Sequence, residues 1–202
     1  MSSENLEEKI ITVARQVFIE KGYENASMSD IASRVGINRP TLHYYYRTKE
    51  RLFQAIFHDI IGSLLPRIQE IITSNCDFFD KISFAIDQYI TTFKHNPFLP
   101  AFIVKETQRD VKHIIQTACE LHLNNIVQQI AKTLNDEMEA GRLRKVKLEI
   151  VFSTFYGLLT FPFIAQNLLK TLLLNNSQEQ YETFLQEWKQ HVITQMRALL
   201  AP

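Results

Sequence analysis

The chain is poor in the residues that punctuate and cross-link a fold. Its 202 residues include only 5 Gly, 6 Pro, 2 Cys and 1 Trp. So few glycines leave no room for a Gly-rich phosphate cradle. Neither a G-x-S-x-G elbow, a P-loop nor a dinucleotide-binding glycine set occurs. The same shortage argues against collagen-like and loop-rich β-sandwich chains. Cys76 and Cys119 make neither a disulfide framework nor a C-x-x-C pair. Net charge is also missing: 22 Lys+Arg face 22 Asp+Glu. That excludes a chain-wide basic coat, though not a local basic patch. The opening MSSENLEEK lacks the basic start and apolar stretch of a signal peptide, so a reduced, cytoplasmic protein is expected. One charge-free run, Ile150 to Leu169, is long enough to cross a bilayer. It is interrupted by Ser153, Thr154, Gly157, Thr160, Pro162, Gln166 and Asn167. A helix buried inside a bundle or at a dimer interface is the expectation, with no membrane partner.

What the chain does have is helical periodicity. Apolar residues make up 46% and charged residues 22%, a globular composition. Leu6, Ile10, Val13, Ala14, Val17 and Phe18 form one stripe of an amphipathic helix, and Gly22 sits where a left-handed cap belongs. Ser27-Met-Ser-Asp30 reads as a capping-box-like start for a short helix to about Val35, which Gly36 breaks. Asn38 is placed to cap a third helix with Pro40 in its first turn, and Thr48 to cap a fourth. Six further breaks and stripes predict helices over about 49–73, 78–95, 98–108, 111–140, 147–173 and 178–200, the first bent near Gly62–Pro66 because Pro66 deletes a hydrogen bond. No strand-period alternation persists. The expected fold is all-α with about nine helices: a three-helix N-terminal bundle over 1–48 and a larger bundle over 49–202.

Two short helices joined by a Gly-containing turn describe a helix-turn-helix. Ile31 and Val35 face the second helix, Gly36 allows the turn and Ile37 fills its inner angle. Charge coincides with this motif. From Arg34 to Arg51 there are five basic residues (Arg34, Arg39, Arg47, Lys49, Arg51) against Glu50 alone, whereas residues 52–202 carry 14 basic and 15 acidic. Thr41, His43, Tyr44, Tyr45 and Tyr46 interleave with those cations. A helix in so small a bundle has no way to bury all four of its sides, so part of this aromatic row is left to face a partner.

Residues 6–57, and above all GYENASMSDIASRVGINRPTLHYYYRTKERLFQAIF (22–57), resemble the DNA-binding domain of the TetR (tetracycline repressor) family of transcriptional regulators. The family pattern is matched at Phe18 to Tyr23, at Ser27, Asp30, Ile31 and Ala32, at Gly36-Ile37, at Thr41-Leu42 and at Lys49 and Leu52. His43 stands where the family has tyrosine, and Tyr46 where it has phenylalanine. The resemblance implies a groove face of Arg39, Pro40, Thr41, Tyr44 and Tyr45, with Ser29 reaching from the preceding helix. It also implies that His43 and Lys49 bind phosphates while Leu42 and Tyr46 pack inward. An operator duplex, a homodimer and a small-molecule effector are the implied partners, and a ligand-released repressor is the implied function.

Beyond residue 75 the resemblance is architectural, aided by NPFLPAFIVKE (96–106) and EAGRLR (139–144). It implies that helices 147–173 and 178–200 pair with a second subunit, and the apolar stripe that includes Leu185 suits that role. Aromatics crowd the central helices: Phe84, Tyr89, Phe93, Phe98, Phe102, Phe152, Phe155, Tyr156 and Phe163 are the candidate walls of a pocket for an apolar or aromatic ligand. Asp87 and Glu106 stand among them as ordinary helix-face charges or as carboxylates for a cationic ligand. Cys119 and His122 share a helix face with His113 earlier; a buried Cys and a surface His are expected there rather than a metal site. No cofactor, metal or catalytic constellation is expected. Three other functions remain: a helical enzyme of unrecognised type, a membrane-associated helical adaptor using 150–169, and a partner-controlled DNA-binding protein without a ligand.

Overall fold

The computed structural model describes residues 3–109, 115 and 119–202. Among them ten α-helices and no strand are found: α1 (Ser3–Asn25), α2 (Met28–Val35), α3 (Arg39–Tyr45), α4 (Lys49–Thr73), α5 (Phe78–His95), α6 (Leu99–Arg109), α7 (Leu123–Glu139), α8 (Leu148–Ile164), α9 (Gln166–Leu173) and α10 (Gln178–Leu200).

The helices of the head start and stop on local chemistry. The Ser27 hydroxyl accepts the Asp30 N–H and donates to its carboxylate. Gly36 ends α2 in the left-handed region (φ 82°, ψ 31°), its N–H and that of Ile37 both reaching the Ala32 carbonyl. Asn38 Oδ1 accepts both the Thr41 N–H and hydroxyl, opening α3. Gly22 has positive φ, but with ψ 162° it is not a left-handed cap; it kinks α1 in a region open to glycine alone. Ile10, Ala14, Val17, Phe18, Ile31, Ala32, Val35 and Leu42 then close a dry core. Leu52, Phe53 and Ile56 complete it, so the first two turns of α4 belong physically to the head.

α4 carries that core into the second bundle, where it packs on α5 and α7, while α10 packs on α5 and α8. α4 runs as one helix from Lys49 to Thr73 with Pro66 inside it. Two predicted helices are cut. The one expected over 111–140 begins as α7 only at Leu123, after His122 adopts φ 54°; its first part lies largely outside the described residues. The one expected over 147–173 divides into α8 and α9, bent by 65°. The bend falls at Ala165, three residues beyond Pro162, which sits inside α8 and cannot donate to the Leu158 carbonyl. That carbonyl instead accepts the Trp188 indole N–H at 2.9 Å, and the Tyr181 hydroxyl donates to the Pro162 carbonyl at 3.2 Å. Both donors come from α10, so the break is held by the helix packed against it. Among the described residues no single helix is long and apolar enough to cross a membrane; α8 and α9 pass that test only as a bent pair.

Candidate nucleic-acid interface

Leu42 is fully buried and Tyr46 7% exposed, which orients α3. The Tyr46 hydroxyl donates to Glu7 on α1 at 2.9 Å. Burial and that carboxylate push its phenol well above the usual value, keeping it a donor. With one side anchored, α3 presents the other: Arg39, Pro40, His43 and Tyr44 are exposed, Thr41 and Tyr45 half-buried. Tyr44 is 85% exposed, its ring edge-on to Tyr45 at 5.6 Å. Ser29 is exposed on α2.

The cations divide into two groups. Arg34 pairs with Glu20 at 2.6 Å, which holds that carboxyl below its ordinary value. Lys21 pairs with Asp30 at 3.1 Å; the Ser27 hydroxyl first, then Lys21, hold the Asp30 carboxyl low. Arg39, Arg47 and Arg51 make no ion pair among the described residues. The uncompensated charge therefore sits at the two ends of α3 and the start of α4.

Lys49 departs from the phosphate role that the resemblance implied. Its ammonium donates to the carbonyls of Tyr23 (2.8 Å), Ala26 (3.0 Å) and Glu24 (3.2 Å), and it lies 4.5 Å from the Tyr23 ring centre. All three N–H bonds are spent on the α1–α2 connection. An ammonium so engaged clamps α4 to the chain ahead of the helix-turn-helix. Sequence spacing carries no signal for this, because the carbonyls involved lie 23 to 26 residues away.

The nine aromatic candidates separate as well. Tyr89, Phe152, Phe155 and Tyr156 line a cavity of about 100 Å³ between α4, α5, α7, α8 and α10. Phe84 is 48% exposed and faces outward. Phe98 and Phe102 join Phe53 in a ring cluster at the head, with Phe102 only 3.8 Å from the Phe53 ring centre. Phe93 packs edge-on against Phe163, both buried. Apart from Phe84, periodicity identified inward-facing rings but did not distinguish a wall from a filler. Sequence reading missed the aliphatic part of the wall: Ile68, Ile71 and Ile72 at the end of α4, and Ile82 on α5.

Of the remaining candidates, Asp87 pairs with Lys189 on α10 at 2.6 Å and is away from the cavity. The Glu106 side chain and His113 lie outside the described residues. Cys119 is exposed rather than buried, its sulfur accepting from Asn124 at 3.0 Å. Among the described residues no cluster of three His, Cys, Asp or Glu side chains is placed to hold a metal.

The sequence profile of the bacterial regulatory proteins, tetR family, matches residues 10–56, the stretch that forms α1 through the early turns of α4. The HTH-type transcriptional activator FasR of Mycolicibacterium smegmatis is 21% identical over 146 residues, 71% of this chain and 66% of its own length. The fatty acid metabolism regulator protein of Bacillus subtilis is 21% identical over 174 residues, 84% and 89% of the two chains. A crystal structure of the transcriptional regulator FadR from Bacillus subtilis in complex with stearoyl-CoA superposes with a TM-score of 0.67 at 17% identity, covering 92% and 97%. The fold over most of the chain, not only of its head, is thus shared with the FadR structure.

Proposed function

Because this chain belongs to the TetR family of bacterial transcriptional regulators, and so to DNA-binding proteins rather than enzymes, we propose that it acts as a homodimeric repressor of a palindromic operator. α3 enters the major groove, whose width admits one helix. Arg39, Pro40, Thr41, Tyr44 and Tyr45 meet base edges, with Ser29 at the rim. His43 contacts phosphate, as do the unpaired Arg47 and Arg51. The observation that carries this reading is the free face of α3 beside three uncompensated arginines. Duplex selection from a random pool tests it: recovery of a two-fold symmetric site is expected, and recovery of no preferred sequence overturns it.

Dimerisation is supported by apolar surface that one chain leaves in water. Phe161 (56% exposed), Ile164 (45%), Leu168 (57%), Leu172 (68%) and Leu173 (71%) follow one another along α8 and α9. Such a run favours a second copy. Leu185 does not belong to it, being 1% exposed within the chain's own core.

The effector is an apolar molecule seated among Tyr89, Phe152, Phe155 and Tyr156. The FadR neighbour is described with stearoyl-CoA, but a cavity of about 100 Å³ calls for something much smaller. That size also favours a second reading, control by a partner without any small ligand, since ordinary ligand pockets begin near roughly 300 Å³. Titrating operator complexes with small apolar molecules separates the two: release is expected for the first, and none for the second.

A further inference from the structure

The cavity wall is aliphatic and aromatic except at few points, and one of them is incompletely satisfied. Tyr89 on α5 and Tyr156 on α8 both line it, and their hydroxyls meet at 3.0 Å. Two hydroxyls bring two protons, and the contact between them uses one. Neither oxygen has another partner among the described residues. Whichever tyrosine donates, the other keeps an O–H that no acceptor among the described residues takes, and the partial burial of the pair pushes both phenols above their ordinary value. A half-buried donor facing an apolar cavity with no protein acceptor favours a ligand that brings it an oxygen.

Charge decides which oxygen. The nearest cation on the wall is Lys81, two turns earlier on α5 and roughly 12 Å from Tyr89 along the helix. Its ammonium donates to the Ile72 carbonyl at 2.9 Å. A carboxylate at the tyrosine pair would be a desolvated charge without a counter-ion, a costly arrangement. A neutral carbonyl carries no such penalty. Size sets the rest: at 10–15 Å³ for each water-sized group, the cavity holds about seven to ten non-hydrogen atoms.

We propose that the Tyr89–Tyr156 hydroxyl pair selects the effector, a compact apolar molecule with one neutral carbonyl oxygen. This rests on the proposed ligand role of the cavity and deepens it. Acetophenone and isopropylbenzene share shape and size but differ in that oxygen, and benzoate adds a charge. Their binding is measured by titration followed through amide chemical shifts, with wild type and Y89F/Y156F in parallel. The double variant keeps both rings and removes both hydroxyls together, a change close to neutral for folding. The preference of wild type for acetophenone over isopropylbenzene is expected to fall about tenfold in the variant, the scale of one hydrogen bond. Benzoate is expected to bind wild type at least about tenfold more weakly than acetophenone. Ala85→Phe, which fills the cavity, is expected to abolish both neutral ligands. An unchanged preference in Y89F/Y156F overturns the role of the hydroxyls, yet leaves the effector reading standing if acetophenone still releases operator DNA. Benzoate binding as tightly as acetophenone overturns the neutral carbonyl. Binding that survives Ala85→Phe overturns the location. If neither neutral probe binds wild type, both this inference and the effector role of the cavity fall.

Discussion

Exposed and engaged side chains within one short segment have opposite consequences when removed. Tyr44 touches little but the Tyr45 ring, so Tyr44→Ala is expected to leave the melting temperature within about one degree, as for surface changes generally. Its effect belongs to recognition: weaker and less selective operator binding, measured by competition between selected and scrambled duplexes. Arg39→Ala is expected to relax sequence preference in the same assay. Lys49→Ala is the opposite case. It strips three carbonyls of their donor and is expected to cost about 1–3 kcal/mol in urea unfolding, with operator binding lost through the head rather than through one phosphate. Should Lys49→Ala be as stable as wild type while its binding loses about one unit of salt slope, the clamp would be refuted and the phosphate contact restored. Acid provides another test at this scale. The Asp30 carboxyl is held below its ordinary value in the folded head, so its contribution is full above the unfolded value near about 3.9. It is lost as pH falls through the lower folded value. Ser27→Ala, which removes the first cause of that shift, is expected to flatten the head's stability loss in this acid range.

Among the elements, the α8–α9 break turns one predicted helix into two with different tasks. Just before it, the Leu158 carbonyl that Pro162 cannot reach accepts from Trp188, and the Pro162 carbonyl accepts from Tyr181, both on α10. Burial pushes the Tyr181 phenol up to about 12, so it remains a donor through the physiological range. Trp188→Phe keeps an aromatic ring but abandons the Leu158 carbonyl, and is expected to destabilise by about 1–3 kcal/mol in chemical denaturation. An unchanged midpoint would show that solvent or another donor takes over. The same break turns Leu168, Leu172 and Leu173 away from the bundle axis and into the exposed run begun by Phe161 and Ile164. α10, by contrast, spends Tyr181, Leu185, Val192, Met196 and Leu200 on its own chain's core.

For the whole molecule, this redistribution relocates the proposed dimer contact. Phe161→Glu or Leu172→Glu is expected to yield a folded monomer by light scattering, with operator affinity sharply reduced because two linked heads bind where one does not. Leu185→Glu is expected to unfold the chain instead. A dimer that survives both exposed substitutions would place the interface elsewhere. Two heads in a two-fold dimer should read half-sites about 34–36 Å apart, one turn of duplex. The cavity lies at the far end of α4, where Ile68, Ile71 and Ile72 form wall, while the same helix begins inside the head core at Leu52 and Phe53. α4 has 25 residues, which at 1.5 Å each span roughly 37 Å. A ligand that moves its far end acts on head spacing only to the extent that it prefers one state over the other.

Local chemistry alone was enough for much of this. Helical periods, caps at Ser27, Asn38 and Thr48, and the turn at Gly36 are interactions within a few residues, so the all-α fold, the helix-turn-helix and the exposed side of α3 were readable from the chain. The basic patch was readable too, since it is a count over eighteen consecutive positions. What tertiary structure decided involves partners far apart in sequence. Lys49 became a clamp because carbonyls before α2 arrive beside it. The helix expected over 147–173 divides at Ala165, where α10 supplies donors to the Leu158 and Pro162 carbonyls. Of the five aromatic candidates off the cavity wall, Phe84 faces outward; the other four fill the core, because helical spacing says which side of a helix is apolar, not whether a neighbouring helix fills the space beside it. The Tyr89–Tyr156 contact spans 67 residues, and only the packing of α5 on α8 brings the two hydroxyls together.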